Sequence, residues 1–242
     1  MDNAGVVSGM GDAAPEAWRR LLAYLLPTPA RASTMSAMDA QAWNERYAAS
    51  ELVWSAEPNR FVAEIVAPLE TGSAVDIAAG EGRNAIWLAQ QGWTVLATDY
   101  SEVAIGRLRD RAAAVLGDGA DRLRAVVADA TLPVPGGQVH DLVLFSYLQL
   151  PPEQMGQALR AGLAAVRPGG RLVVVGHAGR NLEHGWGGPS ERAVLHDPDE
   201  VLAYLALDGS NAGVEVAEIR VRPVDTDDGP REALDTVVVL RS

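Results

Sequence analysis

The chain contains no cysteine and no lysine; all 20 of its basic residues are arginine. Without cysteine it forms no disulfide, holds no thiolate zinc or iron–sulfur centre and offers no cysteine nucleophile. Without lysine it forms no Schiff base and cannot supply the lysine of a phosphate-binding P-loop. No apolar run approaches the roughly 20 residues needed to span a bilayer, so a membrane role is not expected. Positive charge is scarce, since the arginines face 32 Asp and Glu for a net charge of −12. Binding through phosphates needs clustered cations, so nucleic acid is not an expected partner, and a neutral or cationic small ligand fits better. What is present is globular. Of 242 residues 48% are apolar and 21% charged, proportions that allow one domain with one sizeable core.

The first 38 residues stand apart. Arg19 and Arg20 precede Leu21 to Leu26, a faint likeness to a signal peptide. That apolar stretch is shorter than usual, and the acidic Asp2, Asp12 and Glu16 precede it, so the expected location is cytoplasmic. Pro15 to Leu26 predicts a short helix with Trp18, Leu21, Leu22 and Leu25 on one face. Pro27 and Pro29 end it, and a Ser/Ala/Met-rich linker runs to Met38. Residues 1–38 therefore read as an N-terminal arm, poorly ordered or a short helix, ahead of a domain over 39–242. An arm packed on the second subunit of a homodimer is the sharper alternative.

From about residue 60 the hydrophobic period changes repeatedly. Phe61, Ile65, Val66 and Leu69 recur at helical spacing, and Ala74 to Ile77 is a short apolar strand running into a Gly-rich turn. Helices are predicted over Asn84 to Gln91, after Ser101 as N-cap, and over Pro152 to Val166. Strands are predicted at Thr94–Ala97, Leu123–Val127, Leu142–Phe145 and Arg171–Gly176, with Arg167 to Gly170 as a stop and turn. Alternating short strands and helices imply a parallel sheet with right-handed crossovers, covered on both faces. After a last helix at Pro198–Leu207, Val214–Arg222 and Ala233–Arg241 follow with only the turn-rich Val224–Pro230 between them. Such strands pair antiparallel. The fold class is thus α/β, a seven-stranded doubly wound sheet, mostly parallel with a C-terminal antiparallel hairpin.

Ligands of open α/β sheets bind beyond the carboxyl ends of the strands, so the residues just after each strand carry the information. The first strand runs into Asp76-Ile77-Ala78-Ala79-Gly80-Glu81-Gly82-Arg83-Asn84, where glycines admit a ligand close to the backbone and a helix N-terminus follows. The second strand ends in Thr98-Asp99-Tyr100 and the third in Ala128-Asp129-Ala130. A carboxylate can accept from two ribose hydroxyls or from an adenine amino group. Gly80 to Ala85 also fits the G-x-G-x-x-A of a nicotinamide site, with Asp99 near the expected acidic position. Against that reading, Asp76 sits where an apolar strand should continue, and no second domain is left to hold a substrate.

Asp76 to Asn84 resembles the D-x-G-x-G-x-G motif of class I S-adenosylmethionine-dependent methyltransferases. With Trp87-Leu88-Ala89 and Gly92-Trp93 it is similar to the tellurite-resistance and thiol methyltransferase-like branch. Trp43 to Tyr47, Trp54 and Pro58-Asn59 resemble the leading region of that branch. The likeness runs from about Trp43 to Arg241, with one departure, Ala78 in the first glycine position. It implies a Rossmann-like methyltransferase fold and S-adenosylmethionine as cofactor. It also implies that Asp76, Ala78, Gly80 and Gly82 cradle the methionine portion. Asp99, followed by Tyr100, would hold the ribose, and Asp129 would contact the adenine. Arg46 and Tyr47 would close over the carboxylate.

Methyl transfer from a sulfonium is an in-line displacement governed by alignment. A thiol or soft anion needs little proton removal, whereas a hydroxyl or ammonium needs a base. His177 and Tyr147, after the fifth and fourth strands, are the candidate catalytic residues, with His177 either a base or a neutral positioning group. Trp54, Asn181, His184 and Trp186 are candidate substrate contacts, the last three in a Gly-rich stretch that would arch over the strand ends. His140 reads as structural and His196 as a surface or capping residue. Ser146 is followed by Tyr147-Leu148 without the prolines of amino-directed nucleic-acid methyltransferases, and the cytosine C5 type needs a cysteine. The expected reaction is transfer to a sulfur, oxygen or nitrogen of a small molecule. A noncatalytic S-adenosylmethionine-binding module and a nicotinamide oxidoreductase are the alternatives.

Overall fold

Alternating faces of the strands explain the architecture. The computed structural model describes residues 57–207 and 211–242. The expectations for residues 1–38 and for Trp43, Arg46, Tyr47 and Trp54 concern residues outside these ranges. Helix α1 (Arg60–Val66) leads into β1 (Ser73–Ile77), α2 (Arg83–Gln90), β2 (Thr94–Asp99), α3 (Glu102–Leu116) and β3 (Leu123–Val127). Then come β4 (His140–Ser146), α4 (Pro152–Ala164), β5 (Val166–His177), the single turn α5 (Asn181–His184) and α6 (Pro198–Leu205). The long strands β6 (Gly213–Thr226) and β7 (Gly229–Arg241) close the chain.

All strands join one sheet in the order β3-β2-β1-β4-β5-β7-β6. The first five are parallel, and β7 enters antiparallel between β5 and β6. This is the expected seven-stranded, doubly wound sheet. Successive strand residues point to opposite faces, and the core divides accordingly. Ala74, Leu142, Leu144, Val237 and Val239 pack under α1, α2 and α3. Val75, Val143, Phe145, Val238 and Leu240 pack under α4 and α6 on the other side. Strand order reverses between β1 and β4, which sets a crevice at their carboxyl ends.

Caps follow the sequence. Ser101 accepts from the Ala104 amide at the start of α3, and Asp197 with Glu200 forms a capping box on α6. Two predicted breaks behave otherwise. Arg167–Gly170 is extended rather than a turn, because the chain end zips onto it: Gly169 N donates to Ser242 O and Ser242 N to Gly170 O. The stretch Val224–Pro230 is mostly strand. Strands β6 and β7 stay paired as far as Thr226 and Gly229, so only Asp227 and Asp228 turn, with Gly229 at φ +103°.

Candidate active site

The loop after β1 is shaped by backbone that leaves the right-handed region. Ala78, Gly80 and Gly82 all have positive φ, at 59°, 57° and 81°. A Cβ on Gly82 would lie 2.4 Å from Leu108 Cγ, so α3 packs against the turn and only glycine fits. Ala78 adopts the same left-handed region with a methyl group attached, which costs about 1–2 kcal/mol. The first glycine of the motif is replaced in sequence, yet its conformation is kept.

Asp99 holds this loop. Its Oδ2 accepts from Gly80 N at 2.9 Å and its Oδ1 from Ser101 N at 2.9 Å. Burial pushes its carboxyl above the ordinary aspartate range, against the pull of those amides. The ribose-binding candidate is therefore also the strut that ties β2 to the glycine turn. Tyr100 follows it, half-buried. Asp129 sits half-buried after β3 and accepts from Thr131 N and Oγ1, both at 2.8 Å, beside a shallow cleft with Ile77 and Thr98. That cleft lies on the β1–β2–β3 side, where the adenine candidate belongs.

Asp76 is the anomaly of the site. It is fully buried, and neither carboxylate oxygen has a hydrogen-bond partner among the described residues. Burial pushes its carboxyl up to about 7, with Arg83 pulling down and Asp99 pushing further up. A buried carboxylate without a partner is costly. A cationic group such as the ammonium of a methionine moiety would relieve it. The residues present therefore fit S-adenosylmethionine: an orphaned acid, a glycine turn and a helix N-terminus converge at one crevice.

Across the crevice His177 and Tyr147 do come together, with ring centroids 4.6 Å apart. Tyr147 is held at φ +59°, a strained conformation for a bulky residue and one that clusters at functional sites. Its hydroxyl donates to Asp235 Oδ2 at 2.6 Å and accepts from Asn59 Nδ2 at 3.2 Å. Burial, then Asp235, pushes its ionisation upward. With its hydroxyl so committed, Tyr147 acts as a wall and a strut rather than as a proton carrier. Arg222 Nε donates to the same Asp235 Oδ2 at 2.6 Å, and the Arg83 and Arg222 guanidiniums lie 5.6 and 5.9 Å from the Tyr147 ring centre. Burial pushes Asp235 up, but His177, Arg222 and Tyr147 outweigh it and hold the carboxyl below its usual range.

The other acceptor-side candidates fare differently. Asn181 is buried, and its amide is used within the chain, donating to Gly187 O at 2.7 Å and accepting from Leu234 N at 2.7 Å. It braces the loop against β7. His184 and Trp186 are exposed, the latter under the Arg231 guanidinium. They do not turn toward His177 in this structure. His140 is buried, as a structural histidine should be, and burial holds its ionisation down. His196 corrects the reading of a surface or capping residue. It is buried, its Nε2 lies 2.9 Å from Leu150 O, and Thr236 Oγ1 donates to its carbonyl. Its ring lines a small cavity with His177, Tyr147, Phe145, Met155 and Val174.

Asp235 and Arg222 escape the sequence reading, and Asn59 enters it only within the Pro58-Asn59 resemblance, without a role. The one available signal is the lone carboxylate ahead of the apolar run Val237–Leu240. Asn59 caps α1 by accepting from Phe61 N and Val62 N, and its own amide N–H donates to Asn84 Oδ1 at 2.9 Å. It thereby links the cofactor-side helix α2 to Tyr147.

Residues 74–170 match the family model of the methyltransferase domain. No curated protein matches the chain. Solved structures share its fold. The protein studied in the conversion of a disulfide bond into a thioacetal group during echinomycin biosynthesis is 19% identical, with TM-score 0.65, over 84% of this chain and 92% of that one. The glycopeptide N-methyltransferase MtfA, complexed with S-adenosylmethionine, is 19% identical with TM-score 0.55, over 74% and 91%. TehB from Haemophilus influenzae is 13% identical with TM-score 0.58, over 76% and 62%. The matched segment holds the Asp76 loop, Asp99, Asp129 and Tyr147, and the chain shares the fold of S-adenosylmethionine-dependent methyltransferases.

Proposed function

We propose that the chain transfers the methyl group of S-adenosylmethionine to a heteroatom of a small molecule. The observation that carries this reading is the paired His177 and Tyr147 at the ends of neighbouring strands, over a narrow recess lined by Phe145, Met155 and Val174. The net charge of −12 disfavours phosphate backbones as partners. A glycopeptide N-methyltransferase stands among its structural relatives, which supports a heteroatom acceptor. Asp76, Ala78, Gly80 and Gly82 would hold the methionine portion, Asp99 and Tyr100 the ribose, and Asp129 the adenine. Arg46 and Tyr47 would close over the cofactor carboxylate, and Trp54 would contact the acceptor. His184 and Trp186 reach an acceptor only if their loop closes. The protein would work in the cytoplasm without a nucleic-acid or membrane partner, as a monomer or a homodimer. Among the described residues no helix is long and apolar enough to cross a membrane.

S-adenosylhomocysteine release tests the reading. The full chain is offered S-adenosylmethionine with the small-molecule, protein and nucleic-acid fractions of a cell extract in turn. Release is expected only with the small-molecule fraction. Cofactor binding without release in any fraction favours a binding module, and release with nucleic acid overturns the acceptor class.

A further inference from the structure

We infer that Asp235 and His177 form an acid–base pair on the acceptor side of the crevice, and that the acceptor it serves presents a hydroxyl group. The inference rests on the proposed methyl transfer to a small molecule and narrows its substrate class.

The pairing is geometric. His177 Nδ1 lies 3.2 Å from Asp235 Oδ1. Both atoms are buried, and neither makes a hydrogen bond among the described residues, so the ion-pair contact is the one polar partner each has at hand. The register places them side by side, since His177 pairs with Asp235 across β5 and β7. The opposite carboxylate oxygen is fully used by Tyr147 and Arg222, so Oδ1 is left for the imidazole. A carboxylate on Nδ1 fixes the tautomer with the proton on Nδ1 and leaves Nε2 as a proton acceptor. The imidazole lines the cavity beneath Tyr147 and stays partly accessible, while Asp235 is wholly enclosed. Asp235 is thus a positioning residue and His177 the candidate base.

The pair itself points to the acceptor. His177 is faced by Asp235 on β7, by Tyr147 after β4, and by the buried His196 ahead of α6, whose amide donates to the His177 carbonyl. Arg222 on β6 and Arg83 on α2 flank the Tyr147 ring. The Arg222 charge is spent on Asp235, so what marks the acceptor is the base: a hydroxyl must lose its proton as it attacks. A thiol needs little help in losing its proton, so an oriented base would add little for it. In the step, Nε2 takes the hydroxyl proton while an oxygen lone pair attacks the methyl carbon. The carbon–sulfur bond breaks, its electron pair stays on sulfur as neutral S-adenosylhomocysteine, and the imidazolium returns its proton to water.

Nitrogen-15 NMR of the full chain reads the pair directly, with the His177 signals assigned by their loss in His177→Gln. In the wild type at alkaline pH the Nδ1–H tautomer should dominate, and in Asp235→Asn the population should move toward Nε2–H. A predominantly Nε2–H wild type overturns the pair even if Asp235→Asn fails to fold. For the acceptor, the small-molecule fraction and two probes, catechol and thiophenol, are assayed for S-adenosylhomocysteine release. His177→Gln should lose about 100-fold or more in turnover on a hydroxyl acceptor, with the acidic limb of the pH–rate profile abolished. Wild-type rates in His177→Gln, or methylation of thiophenol with catechol refused, refute the hydroxyl assignment. If the wild type methylates nothing, the proposed methyl transfer fails instead, and the tautomer still decides the pair.

Discussion

Replacing Asp76 by asparagine separates the cost of the buried acid from its use. The carboxyl is raised from 3.8 to about 7 by burial, so the folded state holds its proton more tightly than the unfolded chain. Stability from this group is present below pH 3.8 and is lost as pH rises toward 7. At pH 7 the penalty for the buried anion is about 4 kcal/mol, and at pH 5 it is about 2 kcal/mol. Asparagine removes the charge but leaves an amide without partners, which returns about 1–3 kcal/mol of the gain. Asp76→Asn should therefore be more stable than the wild type by about 1–3 kcal/mol at pH 8, with that advantage shrinking by about 2 kcal/mol at pH 5. Urea unfolding at the two pH values measures both. Parallel pH dependences in the two proteins would refute the idea that Asp76 is a stranded acid. The same variant should bind S-adenosylmethionine about 10- to 150-fold more weakly, because the charge-assisted contact is gone. Wild-type binding near neutrality should release a proton, visible as a buffer-dependent heat in calorimetry.

Asp99→Ala should weaken cofactor affinity by a similar 10- to 150-fold, about 1.5–3 kcal/mol. Since Gly80 N and Ser101 N lose their acceptor, melting temperature should fall as well, and unchanged calorimetry removes Asp99 from the site. Ala78→Gly relieves a left-handed alanine at the expense of unfolded-state entropy. It should stabilise the chain by about 0.5–1 kcal/mol, and a lower melting temperature would contradict the strain. Asn181→Ala should cost about 2–3 kcal/mol through two lost buried hydrogen bonds while leaving S-adenosylmethionine affinity intact. Normal stability with impaired turnover would return Asn181 to the acceptor pocket.

The strands and helices are legible in the sequence because the core is two-sided. Val-rich runs such as Leu172–Val175 are buried on both faces of the sheet, and their lengths tell them from helices. The positions of the glycine turn, Asp99, Tyr147 and His177 are legible because parallel strands bring their carboxyl ends to one edge of the sheet. What the antiparallel hairpin contributes is hidden. Asp235 and Arg222 reach the crevice only through the register of β5, β6 and β7, which local sequence does not encode. Burial is the second blind spot. Asn181 reads as a ligand contact and His196 as a surface residue, whereas the Leu234 amide, 53 residues away, and the Thr236 hydroxyl, 40 residues away, hold them inside the fold. Tyr147 is legible by position and not by role, because its hydroxyl partner Asp235 lies 88 residues on.

Methyl transfer with carbon-13-labelled S-adenosylmethionine tests the central claim most directly. The full chain is incubated with the labelled donor and the small-molecule fraction of a cell extract, and the product is followed by carbon NMR and mass spectrometry. A new low-mass compound whose labelled methyl carbon resonates as an O-methyl group, formed together with S-adenosylhomocysteine, is the predicted result. Donor that binds but stays intact, or a label found on carbon or in polymer, would contradict methyl transfer to a small-molecule heteroatom at this crevice.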